Sequence, residues 1–204
     1  MKISFIGTGL MGFPMVKNLL QKKLDLKIFS RTLEKAKPLE KFGGKIISSL
    51  SKVAIDSDII FTMLTDDSAV EKVLGDSEFL NNLKPSSTVI DMSSIKPKIA
   101  IKYGKLLKEK KINFLDAPVS GGTIGAEKGS LAIMVGGEQE VFDKVLEILK
   151  IMGNPTLVGP VGSGQFSKLA NQIIVGVTIG AVAEAIILCE KAGVDANKFI
   201  KALS

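Results

Sequence analysis

The sequence predicts an α/β protein: a mostly parallel sheet with flanking helices, followed by a long helix that opens an all-α domain. Three observations predict it. Short β-rich runs alternate with helical patterns from residue 2 to about residue 158, as βα units around a parallel sheet do. Several of these runs are continuously apolar, such as Ile59-Ile60-Phe61, which suits strands covered on both faces. After the glycine-rich connector Gly159-Pro160-Val161-Gly162-Ser163-Gly164 no further strand is legible.

In order, the predicted strands run over residues 2–7, 26–30, 45–48, 58–64, 88–92, 113–119, 131–136 and 156–158. Helices fit between most of them, for example over 10–21 and 97–109. From about 165 to 192 runs one helix rich in Gly, Ala and Ile, with Gly193 as its stop, and another begins near Asp195 and reaches Ser204. The expected division is a dinucleotide-binding domain over 1–162 and the start of a helical domain over 163–204, which reads as truncated. The apolar stretch 173–189 contains Gly176, Gly180 and Glu184 and falls short of the roughly 20 residues of a bilayer span. It reads as a buried helix of a soluble protein.

Composition narrows the chemistry. The 204 residues include 27 Lys plus Arg, 21 Asp plus Glu, no His, one Cys and no Trp, with 46% hydrophobic and 24% charged, the balance of a globular protein with a sizeable core. Cys189 alone excludes an internal disulfide, and without His the usual zinc sites and every His-based triad are excluded, so no metal is expected. The net charge of +6 is spread along the chain, and ten Phe with one Tyr offer little for base stacking, so no nucleic-acid partner is expected. No charged leader or cleavage site precedes the first apolar run, which predicts a cytoplasmic protein without a membrane partner.

The first strand runs into Gly7-Thr8-Gly9-Leu10-Met11-Gly12, a G-x-G-x-x-G that opens a helix. Its glycines permit a tight turn and close backbone approach to a pyrophosphate at the helix N-terminus, the Rossmann-type arrangement. The competing reading is a turn that serves helix–sheet packing only. An NAD preference would place an acid at the end of the second strand; Ser30-Arg31-Thr32 stands there instead. Arg31 suits a 2′-phosphate and the flanking hydroxyls add hydrogen bonds, so NADP is the expected cofactor, with NAD as the alternative. Otherwise Arg31 is a solvated residue and Thr32 a helix cap.

Ligands of open parallel sheets lie beyond the carboxyl ends of strands. Three more such ends are polar: Met63-Leu64-Thr65-Asp66, Asp91-Met92-Ser93-Ser94 and Asp116-Ala117-Pro118-Val119-Ser120-Gly121-Gly122. Met63, Leu64, Thr65 and Ser94 are candidate cofactor contacts, although capping accounts equally well for Thr65, Asp66 and Ser94. Ser120, beside the N–H groups of Gly121 and Gly122, suits a substrate carboxylate, and a simple turn would look the same. Lys168 stands near the start of the long helix among apolar and small residues, where an ammonium is costly unless it faces a cleft. Asn171, three residues on, shares its helix face. With no His, a partly desolvated lysine is the obvious proton donor or acceptor; a surface lysine at a helix start is the competing reading. Glu184 reads as a paired structural carboxylate and Cys189 as a small core residue.

Taken together, these residues resemble the β-hydroxyacid dehydrogenase family, which includes 3-hydroxyisobutyrate dehydrogenase, tartronate semialdehyde reductase and the glyoxylate/succinic semialdehyde reductases. The likeness spans the chain: the glycine loop with Pro14-Met15, the 116–122 segment, Gly125-Ala126-Glu127 with Gly129, and Gly162-Ser163-Gly164 leading to Lys168-Leu169-Ala170-Asn171-Gln172. The resemblance implies that Lys168 is the catalytic lysine, that Asn171 helps hold the substrate, and that Ser120, Gly121 and Gly122 form the substrate-carboxylate loop. It makes Leu64, Thr65 and Ser94 cofactor contacts, with Thr65 standing where proline is common. Gln172 replaces a frequent second Asn, a variant associated with tartronate semialdehyde and glyoxylate-type reductases. The sibling 6-phosphogluconate dehydrogenases place His before the Asn; Ala170 stands there, which excludes a phosphogluconate substrate.

Family members continue well past Ser204 with the rest of a helical domain and a second lysine near the cofactor. The resemblance thus implies an NADP-preferring oxidoreductase that interconverts a short-chain hydroxy acid and its semialdehyde or 2-oxo acid by hydride transfer. A lysine is its general acid/base, a small hydroxy acid or semialdehyde its ligand, and a homo-oligomer, dimer or tetramer, its assembly. The alternative is a non-catalytic NAD(P)-binding module that uses the same fold for partner recognition.

Overall fold

The structure, a computed structural model, describes residues 1–203 and contains two compact units, Met1–Lys168 and a second that begins at Leu169. Along the first unit come β1 (Ile3–Ile6), α1 (Gly12–Gln21), β2 (Leu26–Phe29), α2 (Leu33–Ala36), a 3-10 turn (Lys37–Phe42), β3 (Lys45–Ile46), α3 (Leu50–Ala54), β4 (Ile59–Thr62), α4 (Asp67–Leu74) and α5 (Ser77–Asn82). There follow β5 (Thr88–Asp91), α6 (Pro97–Glu109), β6 (Asn113–Asp116), β7 (Val119–Ser120), α7 (Gly122–Lys128), β8 (Leu131–Gly136), α8 (Gln139–Leu149), β9 (Gly153–Gly159) and α9 (Ser163–Lys191), which passes into the second unit.

The strands form one sheet in the order β3-β2-β1-β4-β5-β6-β8-β7, with β9 paired to β8. The first six are parallel; β8 runs antiparallel to β6 and β7 and parallel to β9. This is the doubly wound order, whose reversal between β1 and β4 opens a crevice at the carboxyl ends of the strands. The α/β class read from the sequence holds.

Alternation along the strands explains why the sheet carries a core on each side. Ile3, Phe5, Ile59, Phe61 and Ile90 join Met15 and Leu19 of α1 in one cluster. Their neighbours Ile6, Ile60 and Val89 join Val70 of α4, Phe79 of α5 and Tyr103 of α6 in the other, as the two-residue period of a strand requires. Phe5 and Phe61 are register partners whose rings stack with centroids 5.7 Å apart. Pro97 opens α6, where its missing N–H is no loss.

One predicted strand divides. The run 113–119 is two strands: the ladder with β5 continues as far as the Ala117 N–H, which donates to Asp91 O at 2.7 Å, and Pro118, with no N–H to donate, follows it. The chain then re-enters the sheet as β7, antiparallel to β8.

In the second unit α9 continues from Leu169 to Lys191 and α10 (Ala196–Leu203) follows Gly193, which has φ +78°. Asp195 caps α10 by accepting the Lys198 N–H at 2.9 Å. The expected burial of 173–189 is not found: Ile173 and Ile174 are each 67% exposed and Leu188 71%. Apolar residues surround this helix on every side, a pattern that the sequence reading takes for full burial. Cys189 is half-buried, and Glu184 is exposed with no ion pair among the described residues. Nor is the helix too short: its 29 residues are long and apolar enough to cross a membrane by length and composition. Gly176 and Gly180 weaken a helix without stopping it, and Glu184 is a good helix former. Ser204, the last residue of the predicted second domain, lies outside the described residues.

Candidate active site

β1 delivers the chain to Gly7, at the crevice between β1 and β4. Gly7 has φ +102° and donates its N–H to Phe29 O at 2.8 Å. A Cβ on Gly7 would run into Met63 O, and one on Gly12 into Gly7 O. These two glycines are therefore required by packing, as the competing reading held. Gly9 differs, because nothing lies within 4 Å of where its Cβ would be. Thr8 Oγ1 is buried with no hydrogen-bond partner, and Met11 at the N-cap of α1 offers no side-chain acceptor. An open glycine, an orphaned hydroxyl and an uncapped helix N-terminus fit a pyrophosphate, so the residues present suit a nicotinamide dinucleotide. Leu10 is 85% exposed, and Met11 packs against the core.

At the next strand exit Ser30 is buried while Arg31 and Thr32 are exposed. Thr32 occupies the N-cap of α2 without a side-chain capping bond, and Arg31 enters no ion pair among the described residues. Beyond β4, Met63 N donates to Ile6 O and Leu64 N to Ser93 Oγ, both at 2.9 Å. Asp66 is the cap of α4, accepting the Ala69 N–H at 2.8 Å, and Thr65 Oγ1 braces it at 3.0 Å. Ser94 is exposed and caps nothing, since Lys96 holds the N-cap of α6.

Under these loops lie two carboxyls at register positions facing one another, Asp91 closing β5 and Asp116 closing β6. Asp91 Oδ1 accepts from Thr62 Oγ1 at 2.7 Å, Ser93 Oγ at 2.6 Å and Ser93 N at 3.2 Å, while its Oδ2 has no partner. Asp116 accepts from Gly162 N at 2.7 Å and Gln165 N at 2.9 Å. Burial pushes both carboxyls up to about 6. The Ser93 and Thr62 donors oppose it at Asp91; at Asp116 the backbone N–H groups oppose it and the nearby Asp91 charge reinforces it.

The 116–122 segment ends with Ser120, half-buried at the end of β7, then Gly121 at φ +133° and Gly122 at φ +61°, both exposed. No side chain would fit these angles easily, and the space about Gly122 is open. Lys168, in the second turn of α9, is half-buried and enters no ion pair among the described residues; burial holds its ammonium below the ordinary lysine range. Asn171 lies three residues on in α9, its Nδ2 donating to Gln172 Oε1 at 3.3 Å. The topology thus brings the exits of β1, β2, β4, β5 and β7 and the start of α9 to one edge of the first unit's sheet.

The sequence marks the ends at Asp91, Ser93 and Asp116 as polar without giving these residues a role, and it does not single out Thr62 or Gln165. The signal available was faint: two apolar strands each close on Asp, as Val89-Ile90-Asp91 and Phe114-Leu115-Asp116, where burial of the strand implies burial of the acid.

Comparison with known proteins adds to the geometry. Residues 2–162 match the family described as the NAD binding domain of 6-phosphogluconate dehydrogenase. Residues 162–204 match that described as the NAD-binding of NADP-dependent 3-hydroxyisobutyrate dehydrogenase. The chain is 42% identical to 2-hydroxy-3-oxopropionate reductase of Escherichia coli, over 100% of this chain and 70% of that one. It is 37% identical to a probable 3-hydroxyisobutyrate dehydrogenase-like protein of Arabidopsis thaliana, over 100% and 61%. Among solved structures, the 3-hydroxyisobutyrate dehydrogenase of Mycobacterium tuberculosis with L-serine superposes with a TM-score of 0.92 at 30% identity, covering 99% of this chain and 69% of that one. The chain spans 61% to 70% of the length of these relatives.

The raised carboxyls fix the sign of a pH effect. An acid whose folded value is about 6 against 3.8 binds more protons folded than unfolded, so stability falls as pH rises from about 4 to about 6. Asn at position 91 keeps an acceptor for Thr62 and Ser93 and carries no charge. Asp91→Asn is therefore expected to gain on the parent between about pH 4 and about pH 7, by up to about 3 kcal/mol. Urea unfolding at both values checks this, and an equal difference at both would remove Asp91 as the titrating group.

Proposed function

The chain belongs to the β-hydroxyacid dehydrogenase family of NAD(P)-dependent oxidoreductases, and on that premise we propose that it prefers NADP and interconverts a short hydroxy acid and its semialdehyde or 2-oxo form. The observation that carries the reading is Lys168, half-buried at the start of α9 with its ammonium destabilised by desolvation. Such a group releases a proton more readily than an exposed lysine.

The nicotinamide, when bound, supplies or accepts the hydride. In the reducing direction Lys168 gives its proton to the substrate oxygen as the carbonyl becomes a hydroxyl, and in the oxidising direction it takes that proton back. Ser120 and the N–H groups of Gly121 and Gly122 hold the substrate carboxylate, which orients the carbonyl. Asn171 holds the substrate from α9. The cofactor's phosphates would rest on Gly7, Thr8, Gly9, Leu10, Met11 and Gly12, and its 2′-phosphate on Arg31 between Ser30 and Thr32. Met63, Leu64, Thr65 and Ser94 would line its remaining length.

Two relatives support the substrate class. The Escherichia coli protein is named for reduction of 2-hydroxy-3-oxopropionate, and the family resemblance associates Gln172 with such reductases. The mycobacterial protein was solved with L-serine, itself a short β-hydroxy acid. The exposed apolar surface of α9, where Ile173, Ile174 and Val177 are each 67% exposed, suits contact with another subunit.

Four outcomes test this reading. NADPH consumption should occur with at least one of glyoxylate, succinic semialdehyde, tartronate semialdehyde and methylmalonate semialdehyde; cofactor binding without turnover on any would leave a nucleotide-binding module. Lys168→Ala is expected to lower kcat about 10²–10⁴-fold with NADPH affinity held, and parallel losses in both would remove the lysine from the chemistry. Arg31→Asp should weaken NADPH about tenfold or more relative to NADH; an unchanged ratio in fluorescence titrations assigns the 2′-phosphate elsewhere. Sedimentation should give a dimer or tetramer, and a monomer at micromolar concentration would end the assembly proposal.

A further inference from the structure

The carboxyl of Asp116 faces the segment that opens α9. Its two oxygens accept the N–H groups of Gly162 at 2.7 Å and Gln165 at 2.9 Å. The Gln165 side chain, 1% exposed, completes the arrangement from the other direction. Its Oε1 accepts from Ile95 N at 3.0 Å, and its Nε2 donates to Ser93 O at 2.8 Å. The first turn of α9 is thus joined by four hydrogen bonds to the exits of both β5 and β6.

The surroundings leave no slack. A Cβ on Gly136 would collide with Asp116 Oδ1, and one on Gly164 would stand 2.6 Å from Asp116 O and 2.9 Å from its Oδ2. Burying a carboxylate beside a second one is unfavourable unless donors face it, and here the donors come from the helix start itself. An anion there also complements the positive end of the helix. Lys168 follows Gln165 by three residues, about one helical turn, so whatever fixes Gln165 fixes the Lys168 backbone.

We propose that Asp116 is a positioning residue: together with Gln165 it clasps the first turn of α9 to the carboxyl edge of the sheet and so sets where the Lys168 ammonium stands. Its meaning for catalysis rests on Lys168 being the proton donor proposed above; the placement of the ammonium does not.

Competitive acylation of the purified chain over a pH series, read by mass spectrometry with exposed Lys198 as reference, reports the titration of Lys168 directly. Asp116→Asn sets an amide donor against one of the two N–H groups, and Gln165→Ala removes the side-chain half of the clasp while leaving the carboxylate. Each is expected to raise the Lys168 midpoint toward that of an exposed lysine as the helix start loosens and the amine meets water. Each should also speed hydrogen exchange at the residue 165 amide about tenfold or more. Leu80→Ala, a core truncation on α5, should destabilise the unit and do neither. If Asp116→Asn does not fold, Gln165→Ala decides alone. A folded clasp variant whose Lys168 titrates with the parent, or an equal shift in Leu80→Ala, overturns the proposal. Turnover does not enter this readout: a shifted Lys168 in a chain that reduces none of the aldehydes keeps the clasp and discards the catalytic role.

Discussion

Two carboxyls buried at adjacent strand ends organise the carboxyl edge of this sheet. Asp91 gathers the hydroxyls of Thr62 and Ser93, and Ser93 Oγ in turn receives the N–H of Leu64 at the exit of β4. Asp116 gathers two amides from the connector that leads into α9. The main chain binds the two strands as well, through Ala117 N on Asp91 O. A run of polar contacts therefore passes from the strand that flanks the glycine loop to the helix that bears Lys168. In low dielectric such a network holds only when nearly every member is satisfied. Within this network Asp91 Oδ2 is unsatisfied and stands out for that reason.

The glycine loop shows two demands met by one motif. Gly7 and Gly12 are glycine because neighbouring backbone would be struck by a Cβ, whereas Gly9 faces open space. Packing accounts for the first two, and the third leaves the space that a ligand's close approach requires. Thr8 makes the same distinction in another way. Its hydroxyl is buried and unpartnered, a costly state for a group that an anionic ligand would satisfy.

How much of this was legible depended on range. Periodicity and composition are local, and the sheet strands, the glycine loop, Lys168 and Asn171 all stood out from short stretches of sequence. The clasp did not, because Asp116 and Gln165 are 49 positions apart and Gln165 and Ser93 are 72; no local pattern marks a hydrogen bond across such distances. The strand predicted over 113–119 failed at Pro118, where the missing N–H outweighed apolar continuity. The helix after Leu169 failed differently. It was read as a short buried segment, but apolarity states what a surface prefers to contact and not which chain supplies the contact.

The margins of the sheet bear on how the chain behaves in a crowded solution. A free edge invites another strand to add to it, which is the first step of sheet-on-sheet aggregation. Here β3 has only Lys45 and Ile46, and Lys45 is held by Asp25 at 2.8 Å, so that margin offers little to a passing strand. At the opposite side β9 is longer, yet it contains Pro155 paired in register with Ile133. A proline breaks the row of donors that strand addition needs. The same sheet that presents its carboxyl edge to ligands is thereby blunted along both sides against its own copies.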